Sequence, residues 1–199
     1  MTPTLPSGAR ATANGEHELL ARARRGEVAA FEELTSAHLG HLVAVVTRLV
    51  GDRVEAEDVV QESLLRAWRS IAGFRGRSGF STWLYRIAVN EANRSLLKGT
   101  RRREMTRVTD EPRFSAPSDD GPARQAELRE LRAALRTALL ALPLPYRTAV
   151  VLRDIEGLST REAAHIAGVG ERAFKSRLHH GRAQIRTVLG DQALIAAAS

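Results

Sequence analysis

Cysteine is absent from the 199 residues, which excludes a disulfide framework, a cysteine-ligated zinc site and thiol redox sensing within the chain. Aromatic residues make up only 5%, so the position of each one carries weight. Lysine occurs only at Lys98 and Lys175, and every other cationic side chain is arginine. No stretch is long and apolar enough to span a bilayer. Residues 1–15, rich in Thr, Pro, Ser, Gly and Ala, lack the apolar core of a signal peptide. No membrane insertion and a cytoplasmic location are therefore expected.

The six histidines (His17, His38, His41, His165, His179, His180) show no metal-ligand spacing. His179 and His180 are neighbours, which on a helix point about 100° apart and make a poor chelating pair. No metal and no cofactor are expected. A catalytic residue set is also missing: no Ser-His-Asp arrangement or acidic metal cluster stands out. The glycine-rich segment 73–79 lacks the Lys-Ser/Thr that follows a phosphate loop. The chain reads as a non-enzyme with no small-molecule substrate.

What is present is a 43% hydrophobic fraction, enough for a packed core, together with a net charge of +7 and a pI near 11.0. That excess points to an anionic partner, nucleic acid before membrane. Helical periodicity dominates and no period-two strand pattern appears, so the fold class is all-α. The pattern divides the chain into a tail (1–15), a first helical domain (16–103), a linker (104–123), a second helical domain (124–190) and a final tail (191–199). The linker holds Pro112, Pro117 and Pro122 beside Asp110, Glu111, Asp119 and Asp120. The two small domains are expected to sit on a flexible tether.

In the first domain, Asn14 is a candidate cap for a helix opening at residue 16, stopped by Gly26. A helix over 28–50 turns Phe31, Leu34, Leu42, Val46 and Leu49 inward. The next, near 54–71, has a core stripe of Val60, Leu64, Ala67, Trp68 and Ile71. Its other face carries Asp58, Gln61, Glu62, Leu65 and Arg69, either simply solvated or offered to another protein. A glycine-rich loop, 73–82, holds Phe74, Arg75, Ser78 and Phe80, two aromatics that either pack back on the core or meet a partner. Ser81 or Thr82 is the expected cap of a helix over 83–98 with Leu84, Ile87, Ala88 and Leu96 inward. A second stripe on it runs Trp83, Arg86, Asn90, Arg94, Leu97 and Arg101, with Lys98 nearby. Arginines suit phosphates, asparagine suits a base edge, and tryptophan can stack on an unpaired base for ~1–3 kcal/mol. The alternative is a core Trp83 with solvated arginines.

The second domain opens with an amphipathic helix near 127–142, buried along Leu128, Leu131, Leu135, Leu139 and Leu142, which Pro143 and Pro145 break. A helix over 146–155 ends at Gly157. Ser159 and Glu162 then form a capping box for a short helix ending at Gly168, with Val169 turned inward. A last helix runs from about 170 to 189. Short helix, glycine turn and cation-rich second helix make a helix-turn-helix, whose second helix is built to enter a major groove. Arg172, Lys175, Ser176 and His179 are its candidate base-reading residues, and Arg177, Arg182 and Arg186 its candidate phosphate contacts.

These segments resemble a known family. Gly51-Asp52, Ala56 to Glu62, Phe74-Arg75-Gly76 and Thr82 to Asn90 look like region two of extracytoplasmic-function sigma factors. Gly157-Leu158-Ser159, Lys175 to His179 and Arg182 look like region four. The resemblance implies core RNA polymerase, promoter DNA and an anti-sigma factor as partners. It places Asp58, Gln61, Glu62, Leu65 and Arg69 on the polymerase clamp. The loop from Phe74 to Thr82 would capture a flipped base of the minus-ten element. Trp83, Arg86, Asn90, Arg94, Lys98 and Arg101 would melt and read that element. Arg172, Lys175, Ser176, Arg177, His179 and Arg182 would serve at the minus-thirty-five element, and the linker would thread toward the active-site cleft. One stretch departs from the pattern: where the family has Pro-x-Gly-Thr-Val, this chain has Gly170 to Phe174. The competing assignments are a one-component helix-turn-helix regulator, which would need an effector pocket, and an adaptor that binds polymerase without DNA, against which the cations from Arg94 to Arg103 argue.

Overall fold

The computed structural model describes the backbone of residues 12–76, 78–105 and 122–197, and the side chains of 15–76, 78–99 and 130–190. The described residues are helical with no strand: α1 (Thr12–Arg24), α2 (Val28–Val50), α3 (Arg53–Ser70), α4 (Phe80–Met105), α5 (Pro122–Ala141), α6 (Leu144–Val150), α7 (Thr160–Ile166) and α8 (Glu171–Ala197). A 3-10 turn, Ile71–Gly73, follows α3, and α6 runs on as a π-helical turn, Val151–Ile155.

Helices α1 to α4 make the first bundle. α2 has the expected bounds, and Phe31, Leu34, Leu42, Val46 and Leu49 are all buried on it. Gly51 closes it at φ 93°, a left-handed backbone that lets its N–H reach the Thr47 carbonyl at 2.8 Å. Asp52 then caps α3 by accepting from the Glu55 N–H at 2.8 Å. Of the core stripe expected on α3, Val60, Ala67 and Ile71 are buried, while Leu64 and Trp68 pack at its margin. The Trp68 ring lies 5.3 Å from that of Phe31.

Three helix starts lie upstream of where capping residues suggested. α1 opens at Thr12, so Asn14 sits inside it. α4 opens at Phe80, so Ser81 and Thr82 are first-turn residues rather than caps, with the Trp83 N–H on the Gly79 carbonyl. α5 opens at Pro122, a residue suited to a first turn because its nitrogen lacks a proton to satisfy. At the other end α8 runs to Ala197, past the expected stop near 189. The linker expected at 104–123 lies, for residues 106–121, outside the described residues, and so does the tail 1–11.

Helices α5 to α8 make the second bundle. Pro143 precedes α6 and Pro145 lies in its first turn. Gly157 and Gly168, both at φ 68°, end the π turn and α7. α8 crosses α6 so closely that a Cβ at Gly181 would stand 2.8 Å from Val150 Cγ2 and 3.1 Å from the Tyr146 carbonyl oxygen.

The two bundles pack directly on each other. α4 lies against α7, and α2 touches α5, α6 and the π turn. One hydrophobic core runs through both, from Ala23 to Leu178. Polar contacts close the same seam. Arg147 donates to the Leu49 carbonyl at 2.5 Å and to those of Leu140 and Leu142, and Arg136 donates to the Gly51 carbonyl at 2.6 Å. Two guanidinium groups of the second bundle thus hold the carbonyl end of α2, where the helix dipole is negative and peptide oxygens lack partners. Burial pushes the Arg147 guanidinium below its ordinary range. Gly181→Ala is expected to cost about 1–3 kcal/mol in a chemical-denaturation experiment. Gly190→Ala, where nothing lies within 4 Å, should be neutral or slightly stabilising.

Candidate polymerase and promoter interface

Three exposed faces gather the candidate residues. On α3, Asp58, Gln61, Leu65 and Arg69 are exposed and Glu62 half-buried. Leu65 stands 50% exposed, a large apolar side chain left in water between acidic and amide neighbours. Glu62 is held 3.1 Å from Arg66 Nε, one turn on, which orders the patch. Arg66 also lies 2.8 Å from Glu91 of α4, whose carboxylate is buried and sits 3.4 Å from Arg94. A chain of charges therefore links the α3 face to the α4 stripe.

On α4, Arg86, Asn90, Arg94, Leu97 and Lys98 are exposed and Trp83 half-buried. The side chain of Arg101 lies outside the described residues. The loop before α4 departs from expectation. Phe74 (6% exposed) and Phe80 (2%) are core residues, not surface ones. Their rings pack with each other and with Trp83 at centroid distances of 6.2, 5.1 and 5.7 Å, and His38 stacks beside Phe80. Buried rings next to Gly73, Gly76 and Gly79 give the glycine-rich loop a fixed base, and neither phenylalanine is exposed in this structure. Burial among these rings also pushes the His38 imidazole down. Arg75 stays exposed at the loop tip, with Ser78 and Thr82 partly so.

On the helix-turn-helix, the Ser159–Glu162 capping box forms as expected. The Ser159 Oγ accepts from the Glu162 N–H at 3.2 Å, and the Glu162 carboxylate accepts from the Ser159 N–H at 3.0 Å. Phe174 (0%) and Leu178 (7%) anchor α8 inward, so Arg172, Lys175, Ser176 and His179 face outward, with Arg177 partly covered. Arg182 differs from the expected phosphate contact. It turns back on Asp154 of the π turn, Nε donating at 2.9 Å with a second bond from Nη2. That bidentate bond raises the guanidinium's pKa and engages its Nε–Nη2 edge, while the side chain stays half-exposed.

A further surface escaped sequence reasoning. The stripe on α5 is expected to be buried along its length, yet of its described leucines only Leu139 and Leu142 are, while Leu131 is 52% and Leu135 41% exposed. Leu135, Leu139, Leu140, Ile155 and Ile185 instead floor a cleft of about 660 Å³, and Arg48, Arg132, Arg136, Arg182 and Arg186 stand around it. An apolar floor within a basic rim suits an amphipathic helix with acidic flanks. The signal was present in the sequence as a leucine run longer than its bundle could cover.

Comparison with known proteins matches the Sigma-70 region 2 model over residues 34–102 and the Sigma-70 region 4 model over residues 132–185. The RNA polymerase sigma-H factor of Pseudomonas aeruginosa is 33% identical over 89% of this chain and 95% of its own. The chain belongs to the extracytoplasmic-function sigma factors. The ECF RNA polymerase sigma-E factor of Haemophilus influenzae is 35% identical over 85% of this chain and 93% of its own. Among solved structures, the sigma factor RpoE, in complex with the anti-sigma factor NepR from Bartonella quintana, superposes with a TM-score of 0.65 at 27% identity. That match covers 80% of this chain and 96% of RpoE. CnrH, in complex with the cytosolic domain of CnrY, gives 0.61 at 28% identity, covering 92% and 99%.

As a sigma factor the chain binds core RNA polymerase and directs promoter recognition and initiation, which sets aside the one-component regulator. Among the described residues no helix is long and apolar enough to cross a membrane. Ser159→Ala is expected to lower stability by about 1 kcal/mol, read as a fall in thermal midpoint, because the Glu162 N–H loses its acceptor at the start of α7.

Proposed function

We infer that this sigma factor divides its work between the two bundles, with region two spanning 16–103 and region four 124–190. Region two docks on core RNA polymerase through Asp58, Gln61, Glu62, Leu65 and Arg69. It reads and opens the minus-ten element with Arg75, Ser78, Thr82, Trp83, Arg86, Asn90, Arg94, Lys98 and Arg101, over the buried support of Phe74 and Phe80. Region four reads the minus-thirty-five element through Arg172, Lys175, Ser176, Arg177 and His179. The observation that carries this reading is that the three faces stay exposed together while aromatic and leucine anchors directly behind them are buried. A surface that presents Leu65, Asn90 and Arg172 to water at the same time is prepared for macromolecular contact on each.

The division has a physical logic. Arginine contacts to phosphate supply salt-sensitive affinity with little choice of sequence. Choice comes from the loop, the α4 stripe and the start of α8. Extruding a base costs a few kcal/mol, which stacking on Trp83 can offset. Trp83 is half-buried with its ring braced by Phe74 and Phe80, so little of that gain is lost in ordering the side chain.

The chain acts in the cytoplasm, where polymerase is. An anti-sigma factor is a partner of the kind that RpoE has in NepR, and the arginine-rimmed, apolar-floored cleft suits a helical segment of such a partner with acidic flanks.

Co-elution with core polymerase tests the docking face. Asp58→Ala combined with Gln61→Ala should weaken core binding at least about tenfold with unchanged helix content. Holoenzyme assembling normally with both changed overturns the assignment. On region four, Arg172→Ala should lower holoenzyme affinity for a promoter duplex by about 1–3 kcal/mol and relax base preference at the minus-thirty-five element. Arg182→Ala should leave the salt dependence of binding unchanged, because its Nε and Nη2 are engaged by Asp154.

A further inference from the structure

The end of the π turn brings a single carboxylate across the seam between the bundles. Glu156 is almost wholly buried, its side chain 4% exposed, and it belongs to region four. Its Oε1 accepts from Arg48 Nη1 at 2.9 Å and its Oε2 lies 2.8 Å from His41 Nε2, both on α2 of region two. No hydrogen bond forms between the His41 ring and the carboxylate, so Arg48 supplies the directed contact across the seam. Tyr85 of α4 stacks on His41 at 5.6 Å, and its hydroxyl is held protonated by burial and by the carboxylate. On the carboxylate's own segment, Arg153 is engaged by the Leu158 carbonyl and Asp154 by Arg182. No other charged group is recorded against Glu156 among the described residues.

We propose that Glu156 and Arg48 form an acid-sensitive latch at this seam, which permits a closed form unable to span a promoter only while the carboxylate is neutral or paired with Arg48. The spanning argument rests on the assignment of region two and region four to the two promoter elements. Those elements lie about 25 base pairs apart, roughly 80 Å of duplex at ~3.4 Å per step. A compact chain of this length has a radius of gyration near ~16 Å, so its diameter falls well short. In this structure α7 of the helix-turn-helix rests on α4, the helix that carries the minus-ten stripe. Both elements can be engaged together only after α4 and α7 part and Glu156 leaves α2.

The direction of the acid effect follows from the seam. Closing buries the carboxylate, and desolvation raises its pKa more than Arg48 and His41 lower it. Closure therefore takes up a proton at Glu156, and lower pH favours the closed form. At higher pH the carboxylate is charged in the closed form and Arg48 compensates it. Arg48 is itself 39% exposed and lines the arginine-rimmed cleft, so it can be drawn off by an acidic partner.

The absence of cysteine permits a clean test. Ala72→Cys and Thr137→Cys, on exposed positions of the two bundles, place a donor and an acceptor dye on the full-length protein without competing thiols. Transfer efficiency in the free protein should rise as pH is lowered from about 8 to 6. Arg48→Met keeps the apolar stem but strands the carboxylate, so the closed-to-open ratio at pH 8 should fall roughly tenfold or more and recover on acidification. Glu156→Gln should stay closed and lose the pH response, and adding it to Arg48→Met should restore closure. Equal transfer in the unchanged protein and Arg48→Met at every pH overturns the latch, as does an open Arg48→Met that Glu156→Gln does not rescue. Because the dyes report on the free chain, these results stand whether or not the docking and promoter assignments survive their own tests.

Discussion

The carbonyl end of α2 is the point on which the arrangement depends. A helix 23 residues long ends there with peptide oxygens that its own backbone cannot satisfy. Gly51 turns the chain back through a left-handed residue, and the remaining oxygens face the second bundle rather than solvent. Arg147 and Arg136 supply the missing donors, and Arg48, near the same end of α2, reaches the other way to Glu156. The seam is therefore polar at its rim and apolar behind. Gly51 sits against Leu140, whose Cδ2 is 3.0 Å from where a Cβ would stand. A side chain at that glycine would meet both an unfavourable backbone angle and the neighbouring bundle.

Much of this could be read from the sequence, and the reason is periodicity. α2 was legible to the residue because its apolar positions repeat without interruption and glycines bracket it. The capping box at Ser159 and the glycine turn at Gly168 were legible because each has a local mechanism that tertiary packing does not override. Helix starts were read less well. α4 begins on Phe80 because burying that ring against Phe74 and Trp83 outweighs the preference of Ser81 or Thr82 for a cap. The same clustering decides between the two readings the phenylalanines allowed: in sequence they stand among glycines and arginines, and only folding brings them together in the core.

What could not be read were features that depend on distant pairs. Arg182 carries the same charge as Arg172, and nothing in its immediate neighbours tells that one faces solvent and the other Asp154, 28 positions upstream. The stripe on α5 satisfies helical amphipathicity over five leucines, yet amphipathicity states only that a face wants cover. Whether cover exists is decided by how long the opposing helices are. The seam itself was invisible for the same reason, since Glu156 and Arg48 are 108 residues apart. Sequence patterns located the exposed faces on α3, α4 and α8, and the fold revealed how the two bundles that carry them pack together.

The π turn at Val151–Ile155 has a consequence for how such a seam can arise. Each residue of an α-helix advances the side-chain direction by about 100°, so one additional residue in a turn resets the phase of everything after it. Asp154 points at α8 and Glu156, just past the turn, points at α2, so one short segment both braces region four internally and joins it to region two.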